Sequence, residues 1–219
     1  MSDKIMRIAI VGSAGRGEDG SRMSKPVFDA MVEKARDVIS REGELGDVVL
    51  VSGGAAWADH VAVDLYLQAH RKGEPTLTGL ALFLPCPFDL ARDTFADTGV
   101  PDWRTNPGLS ANKYHRDFSR AMGRDTLAEL REAILCGARV ETRNGFHDRN
   151  TEVAKADVLI AFTWSDGDRP VRGGTLDTWK KCKGKKVHVS LAGLIEMEMQ
   201  PAGKRGIRDY FHRVPPRNI

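Results

Sequence analysis

The sequence has no long apolar run, no paired cysteines and no marked excess of charge. None of its apolar segments approaches the length needed to cross a membrane, and residues 1–4 show no signal-peptide pattern. The three cysteines, Cys86, Cys136 and Cys182, form no C-x-x-C pair, which is typical of reduced thiols rather than of a disulfide framework. The six histidines lack metal-ligand spacing. We therefore predict a cytoplasmic protein with no metal, cofactor or membrane partner.

Basic charge is concentrated at the C-terminal end of the chain. The net charge is only +3, but residues 201–219 carry five Lys or Arg against one acid, Asp209. We interpret residues 1–200 as a single domain and residues 201–219 as a solvated basic tail, with a nucleic-acid-binding arm as the alternative. DNA binding of this kind uses stacking aromatic residues interleaved along a basic groove, and the sequence offers few of these outside residues 86–122, so single-stranded DNA binding ranks below small-molecule binding.

Short apolar segments alternate with amphipathic ones along the chain. The segments that predict strands are residues 4–11, 48–51, 78–84, 158–162 and 187–191. With helical patterns between them, they predict an α/β fold: a Rossmann-like, doubly wound, mainly parallel sheet of five or more strands with helices on both faces. The segment 86–122 breaks the pattern and is rich in Asp, Asn, Pro and Gly, so we expect a long insertion that covers the ligand edge.

Three glycine loops follow predicted strands. They are Gly12-Ser13-Ala14-Gly15, Ser52-Gly53-Gly54-Ala55, and Gly173-Gly174-Thr175, the last of which opens a predicted helix. Glycine lets a ligand approach backbone N–H groups that have no partner within a helix, and the helix dipole adds positive potential there. In such sheets ligands gather at the carboxyl ends of the strands, so the three loops predict one shared anion site.

Several polar residues belong to the same edge. Arg16 lies in the first loop, Asp59 lies early in the second helix, and Arg149 and Asn150 precede the fourth strand. The arginines could grip a phosphate and Asp59 could accept from ribose hydroxyls, whereas Ser13, Ser52 and Thr175 could donate to phosphate oxygens. Solvated charges and helix caps are the alternatives. Trp103, Tyr114 and Trp164 are candidates for stacking on a base, with plain packing as the alternative.

Neither common nucleotide motif is present. Gly12 to Gly17 does not match G-x-G-x-x-G, and the second strand ends in Ser52-Gly53 where a dinucleotide fold has an acid. The P-loop pattern fails too, because Glu18 follows Gly17 and no lysine is present to reach a γ-phosphate. A nicotinamide site and ATP or GTP hydrolysis are therefore disfavoured.

The ordered set of motifs resembles the SLOG superfamily, the Rossmann-like group that contains the LOG phosphoribohydrolases, DprA and the YspA-like proteins. The resemblance lies in Ser52-Gly53-Gly54-Ala55 with Asp59 after it, in Arg149-Asn150, in residues 156–162, and in Gly173-Gly174-Thr175-Leu176-Asp177. It covers residues 7–64 and 147–191 and is strongest for the YspA-like branch. It implies a nucleotide or nucleotide-derived ligand, in some members cleaved at the base–ribose bond, and a homodimer.

The chain departs from the LOG pattern at one position. LOG enzymes have G-T-x-x-E after the glycine loop, whereas here Thr178 stands at the glutamate position and Asp177 precedes it. If the protein is a nucleoside 5′-monophosphate N-glycosidase, a carboxylate must stabilise oxocarbenium-like charge, and the candidates are Asp177, Glu152 and Asp59, in that order. A non-catalytic sensor or sequestering protein for a small nucleotide is the rival hypothesis, and DprA-like DNA binding ranks last.

Overall fold

The described residues build one six-stranded, all-parallel sheet. The computed structural model describes residues 5–42 and 47–199. Its strands are β1 (Met6–Gly12), β2 (Val48–Ser52), β3 (Leu77–Leu84), the short hairpin strands β4 (Phe88–Asp89) and β5 (Thr94–Phe95), β6 (Arg139–Thr142), β7 (Val158–Thr163) and β8 (Lys185–Ser190). The sheet order is β6-β3-β2-β1-β7-β8, and β4 and β5 pair separately. The predicted Rossmann-like α/β fold is confirmed.

Helices cover both faces of this sheet. They are α1 (Glu18–Arg22), α2 (Lys25–Glu42), α3 (His60–Lys72), α4 (Pro107–Met122), α5 (Thr126–Leu135), α6 (Gly145–Val153), α7 (Gly173–Lys181) and α8 (Leu191–Met199), and a 3-10 turn, Trp57–Asp59, precedes α3. The larger core joins one sheet face to α2, α3, α4, α5 and α8, whereas the smaller core joins the other face to α6 and α7. No helix in residues 5–42 and 47–199 is long and apolar enough to cross a membrane.

Burial on both faces explains why the central strands read as continuous apolar runs. Along β1, Ile8 and Ile10 pack into the larger core while Ala9 packs into the smaller one, and all three are fully buried. Successive strand residues point to opposite faces, so a strand with helices on both sides needs apolar residues at every position.

The strand order places the topological switch point at β1. From β1 the chain moves outward through β2 and β3 to one edge, and β7 and β8 lie on the other side. Ligands of doubly wound sheets bind in the crevice outside the carboxyl ends of the strands at such a point. Here that crevice lies at the ends of β1, β2 and β7.

The insertion is more ordered than the sequence pattern suggests. Its second half is the 16-residue helix α4, which begins after Asn106, whose side chain accepts the N–H of Leu109. The segment in which the sequence shows no regular pattern therefore contains a long helix in this half. The buried face of α4 gives no clear apolar pattern in the sequence because polar residues lie within it. Asn112 is buried, and its amide bonds to both backbone groups of Phe95. His115 is also fully buried.

Two further differences concern the edges of the sheet. Strand β6 was not predicted, because its four residues, Arg139–Thr142, are largely exposed and carry no apolar alternation. Strand β8 ends at Ser190, one residue earlier than predicted, and Leu191 begins α8. The predicted basic tail, residues 201–219, lies outside the described residues.

Candidate functional site

The structure brings the three glycine loops together at adjacent strand ends, joined by side-chain hydrogen bonds. Thr175 Oγ1, in the first turn of α7, donates to the carbonyl oxygen of Gly12 at 3.0 Å. Arg149 Nη1, from α6, donates to the carbonyl oxygen of Gly53 at 2.9 Å. Asn150 Nδ2, the next residue of α6, lies 3.4 Å from the carbonyl oxygen of Gly174. Helices α6 and α7 thereby fix the loops of β1, β2 and β7 relative to one another.

Close approach explains the glycines at two of these positions. A Cβ on Gly12 would clash with the carbonyl of Phe162 on β7, and one on Gly53 would clash with the Arg149 guanidinium. Any larger residue at either position would push a neighbouring strand end or Arg149 out of place. The glycines therefore create the close contact between loops on which the site depends.

Arg149 is a buried cation with most of its donors satisfied inside the protein. Only 9% of the residue is exposed. Besides Gly53, its Nη1 contacts Asp59 Oδ2 at 3.3 Å, while Nε and Nη2 donate to Asn150 Oδ1 at 3.2 and 2.9 Å. Burial lowers the pKa of Arg149, and the Asp59 carboxylate opposes that change. This arginine is held rigidly beneath the end of β2.

Asp59 is the counter-charge that ties the strand ends together. It is 3% exposed, and its carboxylate accepts the backbone N–H groups of Ala55 and Gly12 as well as the Arg149 guanidinium. Burial raises the pKa of Asp59, while Arg149 and the two N–H groups lower it. Because protein donors already engage the carboxylate, Asp59 organises the site, and the geometry favours this role over contact with a ribose.

The turn that carries Asp59 begins with a strained residue. Trp57 has φ of 62°, a left-handed conformation that costs a non-glycine residue on the order of 1–3 kcal/mol. Its indole is buried and packs against Phe118 of α4, with ring centroids 4.4 Å apart. The packing of α4 thus holds the turn in the conformation that aims Asp59 at Arg149.

A narrow cleft opens between the first two loops, α4 and α6. It is lined by Ala14, Arg16, Gly53, Gly54, Ala55, Ala56, Pro85, Ala111, Tyr114, Phe146 and Arg149, and its volume of about 10 Å³ is roughly the room of one water molecule. Across it, the Arg16 guanidinium carbon lies 5.3 Å from the ring centroid of Tyr114 and 5.2 Å from that of Phe146. The Arg16 guanidinium therefore faces both aromatic rings, although the residue as a whole is exposed.

Asp177 lies beside the three glycine loops, one turn into α7. Its Oδ2 accepts from Lys181 Nζ at 2.8 Å and from Asn150 Nδ2 at 3.1 Å. Burial raises the pKa of Asp177, but the hydrogen bonds from Lys181 and Asn150 outweigh it and the net effect is a lowered pKa. Asp177 is thus a carboxylate at neutral pH, linked to the loops through Asn150 although it does not line the cleft.

Glu152, the second predicted catalytic candidate, lies outside this arrangement. Its carboxylate pairs with Lys155 at 2.8 Å and lies 3.7 Å from Arg143. Glu152 therefore contacts the residue that follows β6, whereas Arg149 contacts Gly53, which follows β2. A catalytic role for Glu152 stays a prediction.

The predicted hydroxyl donors are engaged within the loops. Ser13 Oγ donates to Asp19 at 3.0 Å, and Ser52 Oγ donates to the Asp59 carbonyl at 2.8 Å and accepts the N–H of Gly54 at 3.1 Å. With Thr175 bonded to Gly12, all three hydroxyls serve the loops rather than an open site. Ala14 and Ala55 contribute lining positions to the cleft instead.

Two contributors to the site had no sequence signal. Phe146 faces Arg16 from α6, and His115 supports the second loop from behind, its Nε2 3.1 Å from the carbonyl oxygen of Gly54 and its Nδ1 3.0 Å from Thr126 Oγ1. Burial lowers the pKa of His115 to about 3, so the ring is neutral and donates from Nε2 to Gly54. Both residues are distant in sequence from the glycine motifs they contact.

Of the three aromatic residues predicted to stack, only Tyr114 lines the cleft. Trp103 is 40% exposed and lies 6.1 Å from Phe146, and Trp164 stacks against Arg22 at 3.8 Å. The part of the chain that the structure describes contains no group of three or more His, Cys, Asp or Glu residues placed to hold a metal ion.

Comparison with known proteins reveals one extended similarity. No family model matches the chain. It is 36% identical over 193 residues to "Uncharacterized protein R261" of Acanthamoeba polyphaga mimivirus, a match that covers 85% of this chain and 97% of the viral protein. Among solved structures, the type II thioesterase BorB from the borrelidin biosynthetic cluster aligns with 90% of this chain and 88% of its own at 14% identity, with a TM-score of 0.23. That score is too low to carry an argument about fold or function.

Proposed function

The chain belongs to one family with the mimivirus protein R261, and we propose that the fold it adopts here binds a nucleotide or nucleotide-derived anion at the carboxyl edge of the sheet. The observation that carries the proposal is the convergence of three glycine loops at neighbouring strand ends, joined by Thr175, Arg149 and Asn150. This edge is where the doubly wound topology places ligands.

The charges at the edge favour an anion. Arg16 and Arg149 both line the cleft, and the one carboxylate bonded to them is Asp59, which pairs with Arg149. None of the ion pairs formed by residues 5–42 and 47–199 involves Arg16. A phosphate would give that second guanidinium the bidentate partner it lacks, and the N-terminus of α7 would add its dipole.

The enzymatic form of the proposal is hydrolysis of a nucleoside monophosphate. The bond between the base and the ribose breaks, the oxygen of water bonds to the ribose carbon, and the base leaves with a proton. Asp177 is the carboxylate of choice, because its lowered pKa keeps it negative where the sugar develops positive charge. Asn150 would orient it, since its amide bonds both Asp177 and the Gly174 carbonyl.

The non-catalytic form, a sensor or sequestering protein, has its own supporting observation. Asp177 already pairs with Lys181 and does not line the cleft. In this form the ligand binds to the same loops and leaves intact. The two forms share the binding site and differ only in turnover.

One experiment separates these forms and tests the proposal. The melting temperature of the protein is measured with each of a panel of nucleoside 5′-monophosphates. Free base released from each nucleotide is measured by chromatography in a parallel incubation. A ligand present at a hundred times its dissociation constant adds about 2.7 kcal/mol to the free energy of unfolding. Stabilisation with base release that is lost in Asp177→Asn supports the enzyme, and stabilisation without release supports the sensor.

The matched control is Asp37→Asn, which removes an exposed carboxylate from α2, outside the cleft lining. This variant should release base at the wild-type rate. If no nucleotide in the panel stabilises the protein, the proposed binding function is wrong in both forms.

A further inference from the structure

We propose that the rings of Tyr114 and Phe146 form the base-binding slot of the site, and that Arg16, which lies over both rings in this structure, moves to the phosphate when a ligand enters. The inference rests on the proposed function and deepens it, because it identifies the ligand as one that carries both a planar aromatic base and a phosphate.

The Arg16 guanidinium, which lies at the slot, indicates the shape of group that fits there. The Arg16 guanidinium carbon lies between 5.2 and 5.3 Å from both ring centroids. A guanidinium is planar and delocalised and stacks on aromatic faces, so it occupies the same kind of flat space as a heterocyclic base. Sequence-tolerant recognition of bases in other proteins relies on stacking of this kind.

The small volume of the cleft makes a displacement necessary. About 10 Å³ holds one water molecule, whereas pockets for small ligands measure roughly 300–1,000 Å³. A side chain must therefore leave before a nucleotide can enter. Arg149 is held by Gly53, Asp59 and Asn150, so it is not free to go.

Arg16 has the features of a side chain that can move. It is flanked by Gly15 and Gly17, whose φ values are 71° and 56°, and a Cβ on Gly17 would meet nothing within 4 Å. Among the described residues, Arg16 contacts two rings and forms no direct ion pair, and its charge lowers the pKa of Asp59 from a distance. The ring contacts that its release breaks can be replaced by a stacked base.

Electrostatics favours the movement once an anion is present. Arg16 is close enough to Arg149 for its charge to contribute to the lowered pKa of that residue. A phosphate beside the glycine loops attracts both guanidiniums and offers Arg16 a bidentate partner, which the aromatic rings cannot do. The phosphate draws Arg16 away from the slot, and the base then takes its place. The two groups of the ligand therefore act together.

The test compares ligands that carry both a base and a phosphate with a ligand that carries only the phosphate. Isothermal titration measures the dissociation constants of the four common ribonucleoside 5′-monophosphates and of ribose 5-phosphate, for wild type, Tyr114→Leu and Tyr114→Phe. We expect at least one monophosphate to bind about tenfold or more tightly than ribose 5-phosphate to wild type. Tyr114→Leu should remove that advantage and leave ribose 5-phosphate binding unchanged, whereas Tyr114→Phe, which keeps the ring, should retain it.

The outcomes distinguish the two proposals. Equal binding of the monophosphates and ribose 5-phosphate, or an advantage that survives in Tyr114→Leu, overturns the base slot and leaves the anion site standing. If neither ligand class binds wild type, both proposals fail. Melting temperatures of the two variants show whether each remains folded, and Phe146→Leu provides the same measurement from the opposite wall of the slot.

A second variant tests the movement of Arg16. Arg16→Ala should weaken binding of a monophosphate about tenfold or more, since a charge-assisted contact to phosphate is lost. It should leave the unphosphorylated nucleoside unaffected or bound more tightly, because the slot is then open. Equal weakening of both ligands would show that Arg16 stays in the slot and would overturn the proposed movement.

Discussion

Arg149 and Asp59 form a buried ion pair between residues 90 positions apart in the sequence. Each is held by further hydrogen bonds, Arg149 to Gly53 and Asn150, and Asp59 to the N–H groups of Ala55 and Gly12. Such a pair contributes little net stability, but loss of one partner leaves an uncompensated buried charge. The pair therefore sets the geometry of the strand ends more than it sets the stability of the fold.

The first prediction follows from this pair. Arg149→Met should lower the free energy of unfolding by about 3–5 kcal/mol, because Asp59 is left buried without its cation. The double variant Arg149→Met with Asp59→Asn should recover part of that loss, and urea unfolding of wild type, both single variants and the double variant measures both effects. Strictly additive losses would show that the two side chains do not depend on each other.

The second prediction concerns the pH dependence of stability and His115. The pKa of this residue is lowered to about 3 in the fold, below the value near 6.5 expected in the unfolded chain. As the pH falls below about 6.5, His115 therefore binds a proton in the unfolded state and not in the folded state. The contribution of His115 is fully present above that pH and is lost progressively down to about pH 3, at roughly 1 kcal/mol per pH unit.

The matched variant for this prediction is His115→Gln, whose amide nitrogen can still donate to the Gly54 carbonyl. Urea unfolding of both proteins at pH 7, 6 and 5 should give a steeper loss of stability for wild type. Parallel pH profiles would mean that His115 is not the group that takes up the proton.

At the scale of elements, the insertion works as a packed part of the core. Phe118 of α4 is fully buried and contacts the rings of Phe28 at 5.1 Å and Trp57 at 4.4 Å. Asn106 and Asn112 satisfy the backbone of the preceding loop, including both polar groups of Phe95. Because Tyr114 lies on the same helix, α4 positions one wall of the cleft.

The third prediction distinguishes this packed element from a loose lid. Phe118→Ala should lower the free energy of unfolding by about 3–5 kcal/mol, the usual cost of emptying a large buried site. Arg120→Ala, on the exposed side of the same helix, should change it by less than about 0.5 kcal/mol. If both changes had little effect, α4 would be a cover that the core does not need.

At the scale of the whole molecule, the two edges of the sheet differ in chemistry. The carboxyl edge carries the glycine loops and the narrow cleft, whereas a wider depression of about 530 Å³ lies between the ends of α6 and α7 and is lined by Lys155, Lys180, Lys181 and Lys183 among others. These lysines stand where both helices end, and cations there are stabilised by the helix dipoles. Their concentration has a structural reason without a nucleic-acid partner.

The fourth prediction uses this separation. Lys180→Gln with Lys183→Gln should leave the affinity for nucleoside monophosphates within about twofold of wild type, because the lysines lie at the edge opposite the glycine loops. Isothermal titration at fixed ionic strength measures it. A tenfold loss would place the anion site in the lysine depression instead.

The homodimer implied by the resemblance stays a prediction, which sedimentation of wild type would test.

The sequence by itself determined the central strands of the sheet and the edge that carries the glycine loops. Buried strands such as Val158–Thr163 need apolar residues on both faces, and Gly173, at the start of α7, has a φ of 71° that favours glycine, so both leave a local signal. Parallel strands place all their carboxyl ends at one edge, and this rule carried the prediction from single loops to a common edge. Strand β6 escaped because an exposed edge strand has no such pattern.

Only the tertiary structure decided which side chains meet there. Glu152 and Arg149 lie three residues apart, yet one contacts Arg143 after β6 and the other contacts Gly53 after β2, because the rotation of α6 is set by its packing against the sheet. The engagement of Asp59 by backbone N–H groups and the cation–π contacts of Arg16 with Tyr114 and Phe146 join distant parts of the chain. Contacts of this kind depend on how helices dock, and residue spacing within one segment carries no information about that.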